Sequence, residues 1–286
     1  MALTAEALAK INRELRVGAV RQDGFHEIKS RFVSIDLADT VLAETSLARI
    51  AFASDDPSLP QDERNLVVQA AHLLASILGT AAGARLRLTK RIPAGAGLGG
   101  GSSDAAATIA ALKHLWEAEL SGADLGDLAA RIGSDVPFFL TGGEAEVTGR
   151  GENVRALPDE PPVDLMVFVP PFEIPTGEVY GAYRRRHGGM GSLPGRLDVD
   201  TSGRFFGPND LERAILEVQP TMGALLETAR ANAREAAITG SGSAIVLVAP
   251  KDEAAGRLAA VLPGARFFRT RTVSRAEYAQ RSAPRA

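Results

Sequence analysis

Pro93-Ala94-Gly95-Ala96-Gly97-Leu98-Gly99-Gly100-Gly101-Ser102-Ser103-Asp104 is the stretch on which the fold turns. Five of its first nine residues are glycine, more than strand–helix packing alone needs. Glycine permits positive φ and lets a backbone approach a ligand closely. A helix is expected over 102–119, so free N–H groups and the positive end of its dipole face the loop and make an anion site. The literal pattern G-x-G-x-x-G at Gly95, Gly97 and Gly100 first suggests a dinucleotide fold. That fold wants a buried strand before the loop and an acid ending a second strand about 20 residues on. Here 85–92 alternates charged and apolar residues, and Glu117 and Glu119 close a helix instead. A Walker loop needs Gly-Lys-Ser/Thr, and a protein kinase needs H-R-D and D-F-G. None of these strings occurs.

Upstream of the loop, 15–20 and 32–37 carry apolar residues near period two around a Gln22-Asp23-Gly24 turn, and 48–52 alternates as a third strand. Segment 54–63 is polar and proline-containing, a loop; 65–78 is an amphipathic helix that Asn65 caps and Gly79 ends. Downstream, 124–132 reads as a helix closed by Gly133, and 144–147 as a short strand. The proline-rich, acidic interval 153–162 marks a boundary between an N-terminal domain (1–155) and a C-terminal domain (156–286). Beyond it, 163–169 is a buried-type strand, 176–186 a helix and 187–195 a glycine-rich mobile loop. Segments 209–218 and 221–231 are helical, 244–248 is a strand, 252–261 a helix and 265–273 a strand. The last dozen residues read as a frayed tail. Strands and helices without steady βαβ alternation indicate an α+β fold.

The chain of 286 residues is 45% hydrophobic and 23% charged, the profile of a folded globular protein. It has no cysteine, which removes disulfides, thiolate zinc sites, iron–sulfur ligation and a cysteine nucleophile. A net charge of −3 argues against a broadly basic, nucleic-acid-binding surface. No apolar run reaches the ~18 residues of a membrane span, and no signal peptide is visible at the N-terminus, so a cytoplasmic protein without a membrane partner is expected. Only five lysines accompany 27 arginines, which makes Lys10 easy to single out.

The string P-x-G-x-G-L-G with its following serines resembles the phosphate loop of the GHMP kinases. A second glycine string, Thr239-Gly240-Ser241-Gly242-Ser243-Ala244, resembles that family's late glycine motif. Ala9-Lys10-Ile11-Asn12, Asp23-Gly24-Phe25-His26-Glu27, Gly133-Ser134-Asp135-Val136-Pro137-Phe138-Phe139, Ile174-Pro175-Thr176 and Asn209-Asp210-Leu211-Glu212 are similar to the branch whose acceptor is a cytidine diphosphate polyol. The resemblance spans residues 9 to 244. It implies a two-domain GHMP-kinase-like fold and transfer of the γ-phosphoryl group of ATP to a hydroxyl, in isoprenoid precursor synthesis by the non-mevalonate route. It also implies small-molecule partners only, in a monomer or weak homodimer.

The resemblance assigns candidate roles. Residues Pro93 to Ser103 take the ATP phosphates: Pro93, Ala94, Gly95, Ala96, Gly97, Leu98, Gly99, Gly100, Gly101, Ser102 and Ser103. Gly240, Ser241 and Gly242 lie against them. Asp135 is the candidate base or orienter of the acceptor hydroxyl, and Lys10 its partner. An ordinary Asp, with a pKa of about 3.9, is a weak base toward an alcohol. A nearby ammonium lowers the hydroxyl's pKa and pairs with the carboxylate. Without the family context Asp135 reads equally well as a helix cap. Asn12 and Thr176 are candidates for the substrate's hydroxyls or phosphate, with a turn Asn and a helix N-cap as the plainer readings. His26 offers ring nitrogens to the cytosine edge. Phe25 and Tyr180 offer stacking faces, and both also suit a core. Asp62 to Asn65 and Lys90 to Pro93 are positional guesses for the adenine pocket. Phosphoryl transfer implies Mg²⁺, held mostly by phosphates and water because no carboxylate cage is visible. Two departures from the family pattern stand out: Leu8 where Pro is usual, and Phe25 where Tyr is commoner.

Overall fold

The computed structural model describes residues 1–47, 49–188 and 203–286. Most of the expected 187–195 loop, and Ala48 of the third strand candidate, lie outside these. The chain opens with two long antiparallel strands, β1 (Ala2–Val20) and β2 (His26–Ser46), joined through the expected turn. Register slips at Leu8/Lys10 and Asn12/Glu14, so the pleat is re-aimed on both sides of Lys10. The other edge of β2 carries β4 (Gly83–Thr89) along one half and β5 (Glu144–Gly149) along the other. β3 (Ala51–Ser54) lies parallel on β4, and β6 (Asn153–Ala156) antiparallel on β5. A second, four-stranded antiparallel sheet runs β10 (Arg266–Arg271), β7 (Asp164–Val169), β9 (Ile245–Pro250), β8 (Ala233–Ile238). The fold is α+β.

Three cores follow from the strand period. On the first sheet, Leu3, Ala5 and Ala7 of β1 pack with α1 (Leu66–Leu78), α2 (Gly100–Leu115), α3 (Gly122–Ile132) and α4 (Val136–Thr141). On the second sheet, Met166 and Phe168 of β7 and Ile245 and Leu247 of β9 pack with α5 (Thr176–His187), α6 (Glu212–Val218), α7 (Thr221–Ala231) and α8 (Ala254–Val261). The alternate residues, Leu165, Val167 and Val169 of β7 and Val246 and Val248 of β9, turn the other way. They meet Ala9, Ile11, Val33 and Ile35 of β1 and β2 in a third core between the sheets. This explains the unbroken apolar run at 165–169, since a strand buried on both faces needs apolar residues at every position. Ala96 and Leu98 of the glycine loop belong to that third core. Burial of Leu98 contributes about 1.5–3 kcal/mol and that of the smaller Ala96 less, and together they bolt the loop to both sheets.

The structure corrects several sequence expectations. Helix α2 begins at Gly100, not at residue 102, with Gly99 (φ 71°) as its N-cap, and ends at Leu115. A Cβ on Gly100 would lie 3.0 Å from the Ile92 side chain, so crowding selects glycine there in spite of its low helix propensity. Pro137 sits in the first turn of α4, where its missing N–H is not required. β6 occupies the start of the 153–162 interval, and β8, an alanine-rich stretch without clear alternation, escaped the pattern altogether. The tail is no frayed end: α9 (Arg275–Ser282) packs on β1, with Tyr278 buried and its hydroxyl donating to Phe139 O at 2.7 Å. Asn65 and Gly79 cap α1 as expected.

Candidate active site

Lys10 and Asn12 are two apart on β1 and therefore share one face. Lys10 is 4% exposed, and its Nζ donates to Asn12 Oδ1 at 2.8 Å. The same ammonium is 3.5 Å from Asp135 Oδ2 and 4.5 Å from the centroid of the Phe32 ring. Asn12 is itself held, because its Nδ2 donates to Ser30 Oγ (2.9 Å) and its N–H to Thr239 Oγ1 (2.8 Å). Asp135 stands at the N-cap of α4, yet its side chain makes no capping bond. The carboxylate is thus free to face Lys10.

The two glycine strings meet here. Lys10 N–H donates to Leu98 O (3.0 Å), and Ala244 N–H to Ala96 O (3.1 Å). A Cβ on Gly97 (φ 79°) would fall 2.7 Å from Thr239 O and 2.9 Å from Gly242 O. Only glycine allows that approach. The Ala96 and Leu98 side chains point into the core, whereas the Gly97 and Gly99 backbone faces a cleft of about 520 Å³. Lys10, Asn12, Asp135, Phe25, His26, Thr176, Tyr180, Gly240 and Ser241 line the same cleft. The stretch 93–95, Gly101 and Gly242 do not line it. Ser103 is turned away, its hydroxyl donating to Leu8 O at 2.7 Å. A larger hollow of about 1010 Å³ lies elsewhere, beside Arg13, Arg16 and Arg31, which are already paired with Glu144, Glu160, Glu14 and Asp210.

At the far end of the cleft, His26 Nδ1 is 2.9 Å from Gly18 O. A carbonyl only accepts, so Nδ1 carries the hydrogen. Nε2 is buried without a partner among the described residues. The Tyr180 ring lies 5.4 Å from the His26 ring at 31°. Burial, with the Asp135 charge adding to it, raises the Tyr180 phenol. Phe25 is 51% exposed and so is not core. Thr176 is the first residue of α5, not its cap, and its Oγ1 lies 2.9 Å from Ser241 Oγ.

The curated relatives and solved structures give this cleft its family. The family model "GHMP kinases N terminal domain" matches residues 65–143. A 4-diphosphocytidyl-2-C-methyl-D-erythritol kinase of Symbiobacterium thermophilum is 38% identical over 262 residues, which is 88% of this chain and 93% of that protein. The chain belongs to the 4-diphosphocytidyl-2-C-methyl-D-erythritol kinase family. A relative of that name from Pelotomaculum thermopropionicum is 45% identical over 185 residues, 64% of each chain. The crystal structure of a 4-(cytidine 5'-diphospho)-2C-methyl-D-erythritol kinase superposes with a TM-score of 0.77 at 36% identity, covering 94% of this chain and 98% of that one.

Sequence reading missed several lining residues of this kinase cleft: Phe32, Ser134, Arg150 and Arg184. Arg184 follows Tyr180 by four residues, so helical spacing places both on one face of α5. Arg150 sits in a turn between Gly149 and Gly151, and its guanidinium lies 5.5 Å from the Phe25 ring centroid. No local pattern signals it. Of the adenine candidates, Asn65 caps α1 and Asp62 pairs with Arg64. Among the described residues, no group of three His, Cys, Asp or Glu is placed to hold a metal, and no helix is long and apolar enough to cross a membrane. Apart from His26 Nε2 at its far end, the cleft's candidate metal donors are oxygens, among them the Asp135 carboxylate and the Ser134 and Ser241 hydroxyls. That set fits a magnesium ion that keeps phosphate and water ligands.

Proposed function

We propose that this chain transfers the γ-phosphoryl group of ATP to a hydroxyl of 4-diphosphocytidyl-2-C-methyl-D-erythritol, giving the 2-phosphate in non-mevalonate isoprenoid precursor synthesis. The observation that carries the site assignment is the Lys10–Asp135 pair, seated between two interlocked glycine loops and a histidine–tyrosine pocket. ATP phosphates bind the amides at the start of α2, where the helix dipole favours negative charge. The acceptor hydroxyl approaches Asp135, which takes or orients its proton. Lys10, fixed by Asn12 and Phe32, stabilises the charge that develops on the oxygens in flight. Thr176 and Ser241 hold the polyol. His26 Nε2 accepts from the cytosine edge, and Phe25 and Tyr180 stack on the base. Magnesium would be held mostly by phosphate oxygens and water, with the Ser134 hydroxyl available to it, and would supply further charge neutralisation.

The chain is read as a monomer or weak homodimer. Its use of ATP supports a cytoplasmic place. The test is ADP release with this cytidine acceptor against homoserine, mevalonate and galactose. Turnover confined to the cytidine acceptor is expected. An inert cytidine acceptor with homoserine turning over refutes the reading.

A further inference from the structure

Behind the phosphate loop lies a group of charges that the reading above leaves unused. Lys90, Asp39 and Asp104 have side chains 7%, 0% and 3% exposed. Asp39 comes from β2, Lys90 follows the end of β4 directly, and Asp104 lies in the second turn of α2. Lys90 Nζ donates to Asp39 Oδ2 at 2.5 Å and to Asp104 Oδ2 at 2.9 Å. Asp39 Oδ1 accepts from the backbone N–H groups of Arg91 and Ile92. The ammonium also lies under the first residue of α2, since a Cβ on Gly100 would be 3.3 Å from Nζ.

The cluster therefore grips both ends of the glycine loop. Residues 90–92 lead into it, and 100–104 lead out. Ordering a glycine-rich segment costs more chain entropy than ordering any other, so fixed ends matter most at such a loop. The donors are shared unequally. Among the described residues Asp39 receives three, and Asp104 one, with its Oδ1 buried and unpartnered. One ammonium between two buried carboxylates leaves one negative charge uncompensated, which a low-dielectric site resists. A proton on Asp104 removes that charge. Burial pushes this carboxyl well above the usual carboxylate range, with Lys90 opposing and Asp39 reinforcing the shift.

We propose that Lys90 and Asp39 are positioning residues for the ATP site, clamping the glycine loop from behind, and that Asp104 completes the clamp as a neutral acid rather than as a carboxylate. The inference rests on the ATP-kinase reading but not on the identity of the acceptor. It is tested by titrating the full chain with magnesium ATP, with KM measured for both substrates. Lys90→Met and Asp39→Asn should each weaken ATP binding about tenfold or more while the acceptor KM stays within about twofold. Asp104→Asn preserves an acceptor for Lys90 and replaces the protonated oxygen with an amide, so ATP affinity should stay within about twofold of the wild type. Equal loss of ATP affinity in Asp104→Asn and Lys90→Met overturns the neutral-acid assignment. Unchanged ATP affinity in Lys90→Met overturns the clamp. Because Lys90→Met leaves two buried acids, the paired variant Asp39→Asn/Lys90→Met is titrated as well, with its melting followed by circular dichroism. Weakened ATP binding in that folded variant supports the clamp, and wild-type binding refutes it. ATP titration needs no acceptor, so its result is separable from the acceptor's identity.

Discussion

Asp135→Asn removes one charge and one proton acceptor at nearly constant shape. In the wild type the carboxylate lies 3.5 Å from Lys10 Nζ and is itself 29% exposed. The pair at an effective dielectric of 20 has a gross attraction of about 5 kcal/mol. Partial exposure reduces its net worth to stability to about 1 kcal/mol. Lys10 keeps its bond to Asn12 and its place over Phe32, so the variant should fold and melt within a few degrees of the wild type. The chemical step should suffer far more. A positioned general base contributes about 10² to 10⁴ in rate, or about 2.7 to 5.4 kcal/mol at 1.36 kcal/mol per tenfold. We expect kcat to fall by that factor and the KM for ATP to stay within threefold, because the loop amides do not depend on this side chain. ADP release coupled to NADH oxidation, with both substrates saturating, measures it. A kcat within tenfold of the wild type refutes the role. So does a loss of ATP affinity as large as the loss of kcat. If the pair acts as a unit, Lys10→Met/Asp135→Asn should lose little more than the worse single variant.

Phe25→Ala should raise the KM for the cytidine acceptor about tenfold without lowering the melting temperature, since half the ring is already exposed; an effect confined to ATP KM removes Phe25 from the base pocket. Gly97→Ala combines a positive φ with a 2.7 Å approach to Thr239 O, so it should cost about 2–4 kcal/mol of stability and weaken ATP binding, as urea melts and ATP titration will report. Tyr278→Ala empties a buried site against Gly142 and removes a bond to Phe139 O; about 3–5 kcal/mol should be lost, and a loss under 1 kcal/mol by urea melts would show α9 to be dispensable. The raised Asp104 carboxyl, faced by Lys90 and Asp39, means that the folded chain holds a proton the unfolded chain has released. Its stabilising share is full below the unfolded pKa and falls as pH rises toward the folded one. Asp104→Asn should therefore flatten the fall of stability as pH rises above the ordinary carboxylate range, and an unchanged slope sinks that assignment.

How much of this was legible depends on how local the cause is. The loop at 93–101 could be read because glycine at fixed spacing reports backbone conformation directly, and Gly97 and Gly99 do adopt positive φ. Asn65 and Gly79 were legible for the same reason, as caps. Phe25 and His26 entered through resemblance, and the residues alone left core and site equally open. The start of α2 was misplaced because Gly100 and Gly101 weigh against a helix on propensity, while the Ile92 contact that decides the matter is tertiary. α9 was missed because its apolar content is small, and what holds it is one buried Tyr278 with Arg281 paired to Glu6 and Asp36. Arg150 and Arg184 gave no motif at all. Their presence in the cleft follows from the way a turn and a helix are packed, which residue order alone does not encode.

The same logic explains why a chain with net charge −3 can hold a nucleoside triphosphate. Long-range attraction contributes little, so the anion must be met by local, oriented donors. A backbone loop supplies them without side-chain charge, but only if it is stiff. Here stiffness comes from three independent restraints. Ala96 and Leu98 are buried in the core between the sheets, Gly97 interlocks with Thr239 and Gly242, and the loop's two ends share the ammonium of Lys90. The first two are apolar or steric and act at any ionic strength. The third is buried, so salt screens it weakly. ATP affinity should therefore fall less with added salt than that of a surface lysine cluster of equal charge. A steep salt dependence in the wild type would mean that exposed cations such as Arg184, rather than the clamped loop, carry the binding.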